Sequence, residues 1–234
     1  MPTDNFQRKD ETAFGASQIW DFLSVEEQSS LRSQLTFREY KRGEIIYSEG
    51  QIPELLMHLV SGRVKIYKVG LGSRSPIMRI IQPMQYFGYR AYFASEPYVT
   101  NACALETSTV AFIPIRSIEH ILEKSSALGL YFIRLLASDL GISDRRSISL
   151  MQSHIRGRLA ETLLFLKDTY GLEEDGETLS IHLSREDIAS LSNMTTANAI
   201  RTLSNFSAEK LITIDGRKIK FTDETKLRHI ADMG

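Results

Sequence analysis

Between Thr36 and Pro114 the chain consists of short β-rich runs cut by turn residues, and beyond Pro114 the pattern turns helical and stays so. The runs occupy residues 44–47, 55–60, 63–69, 77–81 and 109–113, with Gly43, Gly50, Gly62, Gly70, Gly72, Pro83 and Gly88 at the breaks. Many short strands at roughly ten-residue spacing, separated by glycine, predict an antiparallel barrel or sandwich. The 234 residues can bury a sizeable core and make one large domain or two small ones.

Composition narrows the partners. Lys plus Arg number 28 and Asp plus Glu 29, so the net charge of −1 gives no global attraction to nucleic acid or an anionic membrane. Any such partner must be met by a local patch. One cysteine excludes an intramolecular disulfide framework and any Cys-rich zinc or iron–sulfur site, and it fits a reducing compartment. No stretch approaches the roughly 18 uninterrupted apolar residues of a membrane span. The start, Met1-Pro2-Thr3-Asp4-Asn5, lacks the order of a secretion signal. A cytoplasmic protein with no membrane partner is expected.

Residues 1–16 are polar and patternless and are expected to fray. A short helix follows over 17–23, and Ser24-Val25-Glu26-Glu27 offers a capping box to the next, which carries Leu31 and Leu35. After Pro114 a short helix spans 117–123, and Ser125 or Ser126 caps a long one running to about Met151. Ile133, Ala137, Leu140, Asp144, Ser147 and Met151 recur on it at three- and four-residue steps, while Leu128, Leu135 and Ile142 form a second stripe. A helix apolar on two sides needs both covered, one by the β domain and the other by a partner helix. The alternative is a helix buried within one larger core.

The polar interruption at 152–154 reads as a hinge before an amphipathic helix over 155–166, which stops at Tyr170-Gly171. The acidic run over 173–177 reads as a solvated loop, and residues 179–183 alternate like a strand. Ser184 is an N-cap candidate with Asp187 at the capping-box position, and the helix it opens presents Ile188, Ala189 and Leu191 to a core. In Ser192-Asn193-Met194 the asparagine can take the left-handed conformation of a tight turn. Thr195 then caps a second helix to about Glu209, with Ala199, Thr202, Leu203 and Phe206 inward. Such a pair is a helix-turn-helix, and residues 211–214, a turn at Asp215-Gly216 and residues 218–221 add a β-hairpin wing.

A helix in the major groove reads bases with its N-terminal residues, here Thr195, Thr196, Ala197, Asn198, Ile200 and Arg201. Arg201 can bond a guanine, Asn198 an adenine or a phosphate, and Ala197 or Ile200 can touch a thymine methyl. Arg185, Arg217, Lys218 and Lys220 are placed to meet phosphates. The local basic excess from Ser184 to Phe221 is modest, and the alternative is a winged helix used for protein contact.

This order of parts resembles the Crp/Fnr family of bacterial transcription regulators over nearly the whole chain from about residue 19. The resemblance is carried by Lys41-Arg42-Gly43-Glu44-Ile45-Ile46-Tyr47-Ser48-Glu49-Gly50, Leu59-Val60-Ser61-Gly62-Arg63-Val64, Phe87-Gly88, Arg156-Gly157-Arg158-Leu159-Ala160 and Leu183-Ser184-Arg185-Glu186-Asp187-Ile188-Ala189. In detail it looks like the branch found in Bacteroidetes. It implies an α+β fold: an antiparallel β-roll of the cyclic-nucleotide-binding type over 17–124, a dimerisation helix over 125–151 and a winged helix-turn-helix over 155–234. It also implies a homodimer that regulates transcription on double-stranded DNA and meets RNA polymerase, and not an enzyme. No Gly-rich phosphate loop or nucleophile motif points elsewhere.

The family's effector signature departs from its usual form. Members that bind cyclic AMP carry Phe-Gly-Glu and, further on, an Arg-Ser or Arg-Thr pair. Here Tyr89 replaces the Glu, and Val99-Thr100 stands where Arg-Ser is expected. Val99 offers a phosphate neither charge nor hydrogen bond, so typical cyclic-nucleotide binding is not expected. Arg90 is the nearby cation that could substitute. Residues midway along the long helix touch the ligand in such members, which implies Ser143 and Asp144, and an Asp there repels an anion. The alternative keeps the roll as a receptor for an unusual small molecule held by Tyr89, Arg90, Thr100, Asn101 and Asp144. No cofactor is implied: Cys103 reads as a small core residue, and His58, His120 and His154 have no metal-ligand spacing.

Overall fold

The computed structural model describes residues 18–70 and 75–234. The expected fraying of residues 1–16, a helix start at Ser17 and the break at Gly72 lie outside the described residues. The chain divides into two compact units, one built on residues up to Val69 and on Met78–Leu140, the other chiefly on Gly141–Gly234.

In the first unit a 3₁₀ turn (Gln18–Phe22) and helix α1 (Val25–Gln34) precede the strands β1 (Thr36–Tyr40), β2 (Ile45–Tyr47), β3 (Leu55–Ser61), β4 (Val64–Tyr67), β5 (Ile77–Ile81), β6 (Tyr86–Phe87), β7 (Asn101–Ala104) and β8 (Ser108–Pro114). A short helix α2 (Tyr89–Phe93) separates β6 from β7, and helices α3 (Ile115–Leu122) and α4 (Ser126–Gln152) follow β8. The capping box read at Ser24 forms: Glu27 N donates to Ser24 Oγ at 3.2 Å, and Ser24 N donates to Glu27 Oε2 at 2.8 Å. The strands make two four-stranded sheets, ordered β1-β8-β3-β6 and β2-β7-β4-β5. Pairing of β8 with β1 and β3, and of β7 with β2 and β4, is antiparallel.

The roll core lies between these sheets. Met57 and Leu59 of β3 and Val110 of β8 meet Val64, Ile66, Ile81 and Ala102 from the other sheet. On the outer face of the first sheet, Leu56, Ala111 and Ile113 pack with Ile19, Trp20, Leu31, Ile118, Leu128 and Phe132 from the turn and helices. A sheet covered on both faces needs apolar side chains on both, which is why residues 55–60 are apolar at every position but His58 instead of alternating. Gly62 closes the β3–β4 turn at φ +83°, and a Cβ there would lie 2.5 Å from the Thr107 carbonyl oxygen. Cys103 is buried in β7 and forms no disulfide.

His58 of β3 is buried, its ring 4.7 Å from that of Tyr86. Burial disfavours the imidazolium and lowers its pKa from 6.5 to about 4, against a smaller opposing hydrogen bond to the Met84 backbone. Above the unfolded value the ring is neutral in both states; between there and 4 only the unfolded chain takes up the proton. Stability is therefore full above pH 6.5 and falls as the pH drops towards 4, by about 3 kcal/mol from this group. Denaturant unfolding followed from neutral pH to mild acid is expected to show a steeper loss in the wild type than in His58→Gln. Parallel pH profiles in the two proteins would overturn this.

Helix α4 starts where expected, with Leu128 N donating to Ser125 Oγ at 3.3 Å. Leu128 and Phe132 are buried in the first unit, with Leu135 and Leu136 packed against the same cluster. Among the described residues this is the one helix long and apolar enough to cross a membrane. Part of its apolar character is accounted for by the packing of Leu128 and Phe132 in the first unit. The stripe of Ile133, Ala137, Leu140, Asp144, Ser147 and Met151 is exposed along its length.

The second unit contains α5 (Ile155–Tyr170), α6 (Arg185–Leu191), α7 (Thr196–Ala208), the hairpin β9 (Ile212–Asp215) and β10 (Lys218–Phe221), and α8 (Glu224–Asp232). Residues 179–183 do not form the expected strand. Leu179, Ile181 and Leu183 are buried, as the alternation predicts, but pairing is limited to isolated bridges, Leu172 with Leu179 and Thr178 with Lys220. The Ser180 N–H, donating to the Gly171 carbonyl at 3.3 Å, belongs to the Leu172–Leu179 bridge, and the pairing does not continue into residues 181–183 among the described residues. The sequence reading placed no separate helix over residues 224–232, where α8 forms and buries Leu227.

Candidate nucleic-acid interface

Helix α6 opens as expected. Asp187 N donates to Ser184 Oγ at 3.0 Å, and the Ser184 hydroxyl donates to the buried Asp187 carboxylate at 2.6 Å. Asn193 adopts φ +47°, and the turn closes with Met194 N donating to the Ala189 carbonyl at 2.9 Å. Thr195 caps α7, its Oγ1 accepting from Asn198 N at 3.3 Å. Ala199, Thr202, Leu203 and Phe206 are buried, which fixes the opposite face outward. On that face Ala197, Ile200 and Arg201 are exposed, while Thr195, Thr196 and Asn198 are half-buried. Arg201 has no ion-pair partner among the described residues, so its guanidinium remains available for a base edge.

Two arginines that brace the helix-turn-helix were missed as side chains, although the segment Arg156-Gly157-Arg158 carried part of the resemblance. Arg156 makes a bidentate pair with Glu209 just past the end of α7, both distances 2.8 Å, and lies 5.0 Å over the Phe206 ring. Arg158 bridges the hinge to the helix-turn-helix, donating to the Ser153 carbonyl at 2.9 Å and the Ser192 carbonyl at 3.2 Å. Their signal was spacing within one short motif, whose partners lie far along the chain.

The wing turn is shifted by one residue from the reading at Asp215-Gly216. Lys218 pairs with Asp215, so the two-residue loop is Gly216-Arg217. Gly216, at φ +53°, takes the position that a side chain resists, and Arg217 is left exposed at the tip. Arg185 is drawn to the same turn: its Nη2 donates to the Gly216 carbonyl at 2.7 Å, while Nη1 is buried and has no partner among the described residues. It braces the wing against α6. Lys218 and Lys220 are each ion-paired, to Glu173 at 3.0 Å and to Glu177 at 2.5 Å. Lys218, followed by His182, holds the Glu173 carboxyl below the usual range.

In the roll, the candidate effector residues do not converge on an anion. Tyr89 is buried at the start of α2, edge-on to Phe132, and its hydroxyl donates to Asp139 Oδ2 at 3.2 Å. Burial and then the Asp139 charge push that phenol well above its usual pKa, so it stays a donor. Arg79 pairs with the same carboxylate, and Arg90 pairs with Glu96 at 2.7 Å. Val99 is exposed; the Thr100 hydroxyl is 3.4 Å from that of Tyr47, which stacks on Tyr98 at 3.9 Å in the roll core. Asn101 is buried, its Oδ1 accepting from Glu49 N at 3.0 Å and its Nδ2 without a partner among the described residues. Ser143 and Asp144 are both exposed. The acidic residue of the long helix that engages Tyr89 is thus Asp139 and not Asp144, because helical phase turns Asp139 to the roll.

The chain matches the cyclic nucleotide-binding domain family over residues 37–125 and the Crp-like helix-turn-helix domain family over residues 157–230. Together with the fold, these matches define a transcription regulator with a DNA-binding winged helix and a roll of the cyclic-nucleotide-binding type. Similar proteins include a CRP-like cAMP-activated global transcriptional regulator of Mycobacterium tuberculosis, 24% identical over 85% of this chain and 89% of that protein. Another is the anaerobic regulatory protein of Bacillus subtilis, 27% identical over 83% of each. The fold is shared with FixK2 from Bradyrhizobium japonicum, at a TM-score of 0.75 and 22% identity over 84% of this chain and 96% of that one. The chain belongs to the Crp/Fnr family of transcriptional regulators.

Proposed function

We propose that the protein acts in the cytoplasm as a homodimer, binding a two-fold DNA site with α7 and the tip of the wing, and that cyclic AMP is not its effector. The observation that carries the DNA reading is the outward face of α7, where Arg201 stands unpaired beside Ile200 and Ala197 among the described residues. Dimerisation is supported by the exposed apolar stripe of α4, with Ile133 61%, Leu140 62% and Met151 84% accessible.

The effector of the Mycobacterium relative does not transfer. A cyclic phosphate needs a cation, and Arg79 and Arg90 already face Asp139 and Glu96. The buried donor Asn101 Nδ2 favours a second reading, in which the roll receives an uncharged molecule that offers a hydrogen-bond acceptor.

Selection of bound duplexes from a random pool, with and without cyclic AMP, tests both parts. Two inverted half-sites about one helical turn apart are expected, recovered equally in either condition. A pool that stays random overturns the sequence-specific reading. A motif that emerges only with cyclic AMP overturns the effector reading.

A further inference from the structure

Glu173 and Glu177 stand outside the helix-turn-helix and hairpin, yet the backbone fastens them to the wing. Leu179 N donates to the Ile219 carbonyl and Phe221 N to the Glu177 carbonyl, both at 2.9 Å. The Asp175 carboxylate holds the intervening turn, accepting from Glu177 N at 3.0 Å, Thr178 N at 2.8 Å and Thr178 Oγ1 at 2.7 Å. The acidic residues are therefore fixed beside β10. Glu173 receives Lys218 on both oxygens, at 3.1 and 3.0 Å, and His182 at 2.8 Å, while Glu177 receives Lys220.

All these side chains are substantially solvated, and ion pairs of this kind add little to stability. Their effect falls on the interface. Lysines on a wing attract phosphate by releasing counterions, and a lysine already neutralised by a fixed carboxylate releases few.

We propose that Glu173 and Glu177 are positioning residues of the DNA interface, which hold Lys218 and Lys220 away from phosphate and leave Arg217 as the wing's principal cation. The proposal rests on the DNA-binding reading of the winged helix. Its consequence is a protein whose general attraction to DNA is lower than its basic residues allow. That fits the modest charge excess of this region, because the arginines at α7 and at the wing tip remain unpaired among the described residues.

The test uses the full chain on a duplex of arbitrary sequence, with affinity measured by fluorescence anisotropy between about 50 and 200 mM salt. Freeing one lysine is expected to steepen the slope of log affinity against log salt by about 0.9, and to tighten binding by up to about eightfold near 0.1 M salt. Glu173→Gln and Glu177→Gln should each do this. Glu174→Gln removes the same charge from the same loop, but Glu174 has no ion-pair partner among the described residues, so the slope should stay as in the wild type. Lys218→Gln should change little by itself and should cancel the gain of Glu173→Gln when the two are combined. Unchanged slopes, or equal gains from Glu173→Gln and Glu174→Gln, overturn the proposal and leave the DNA-binding reading intact. If the wild type binds no duplex at all, it is that reading which fails. Unchanged melting temperatures exclude a folding effect.

Discussion

Arg201→Ala is expected to weaken binding to the selected operator by about 1–3 kcal/mol in each half-site, hence by about 2–6 kcal/mol for a dimer. In the titration this is a loss of roughly 30-fold at least. The effect should be confined to one base position of each half-site, where preference relaxes, because a guanidinium with no ion-pair partner among the described residues is free to bond a base edge through two donors. Arg201→Lys should recover little, since an ammonium cannot reproduce the fork. Repeating the duplex selection with the alanine variant checks the assignment. Uniform weakening on all sequences, with a salt slope lower by about 0.9, would make Arg201 a phosphate contact instead.

Leu140→Asp is expected to have an effect of similar size through a different route. Leu140 is 62% accessible at the middle of a stripe that runs from Ile133 to Met151, and it makes no part of the buried cluster that holds Leu128 and Phe132. The substitution should therefore spare the fold of the subunit. If the stripe packs on its copy, each dimer acquires two uncompensated charges in an apolar seam, at a cost of about 3–5 kcal/mol each. Sedimentation should then show monomers where the wild type is dimeric, and operator binding should fall roughly 100-fold or more. A variant that remains dimeric with unaltered operator affinity would place the dimer contact elsewhere.

The helix-turn-helix was legible because its determinants are local. Ser184 and Thr195 cap the helices beside them, Asn193 takes a conformation set by its own side chain and turn, and the inner face of α7 follows from periodicity within one helix. The β-roll was legible for a similar reason, since glycine punctuation and apolar runs mark strands wherever they pair. The strand expected over 179–183 shows the limit: its alternation correctly marks burial, but a ladder also needs a partner edge, and the pairing here is limited to isolated bridges.

The candidate sites divide along the same line. The residue types at Tyr89 and Val99 already depart from the usual phosphate-binding signature, and those at Arg201 and Ile200 already suit a base-reading surface. What these residues do in the fold depends on neighbours that no short window contains. Tyr89 meets Asp139 from 50 positions away. Lys218 meets Glu173 from 45 positions away, an ion pair that no short window shows.

By itself the sequence determined the succession of a β-rich unit, a long helix and a helix-turn-helix with its wing, the capped helices of that motif and the departure from the usual cyclic-nucleotide signature, all of which are written in backbone preference, periodicity and residue type. Tertiary structure decided which charges remain available. A charge is free or spent according to what stands within about 4 Å of it, where Coulomb attraction is strongest, and folding alone sets those distances.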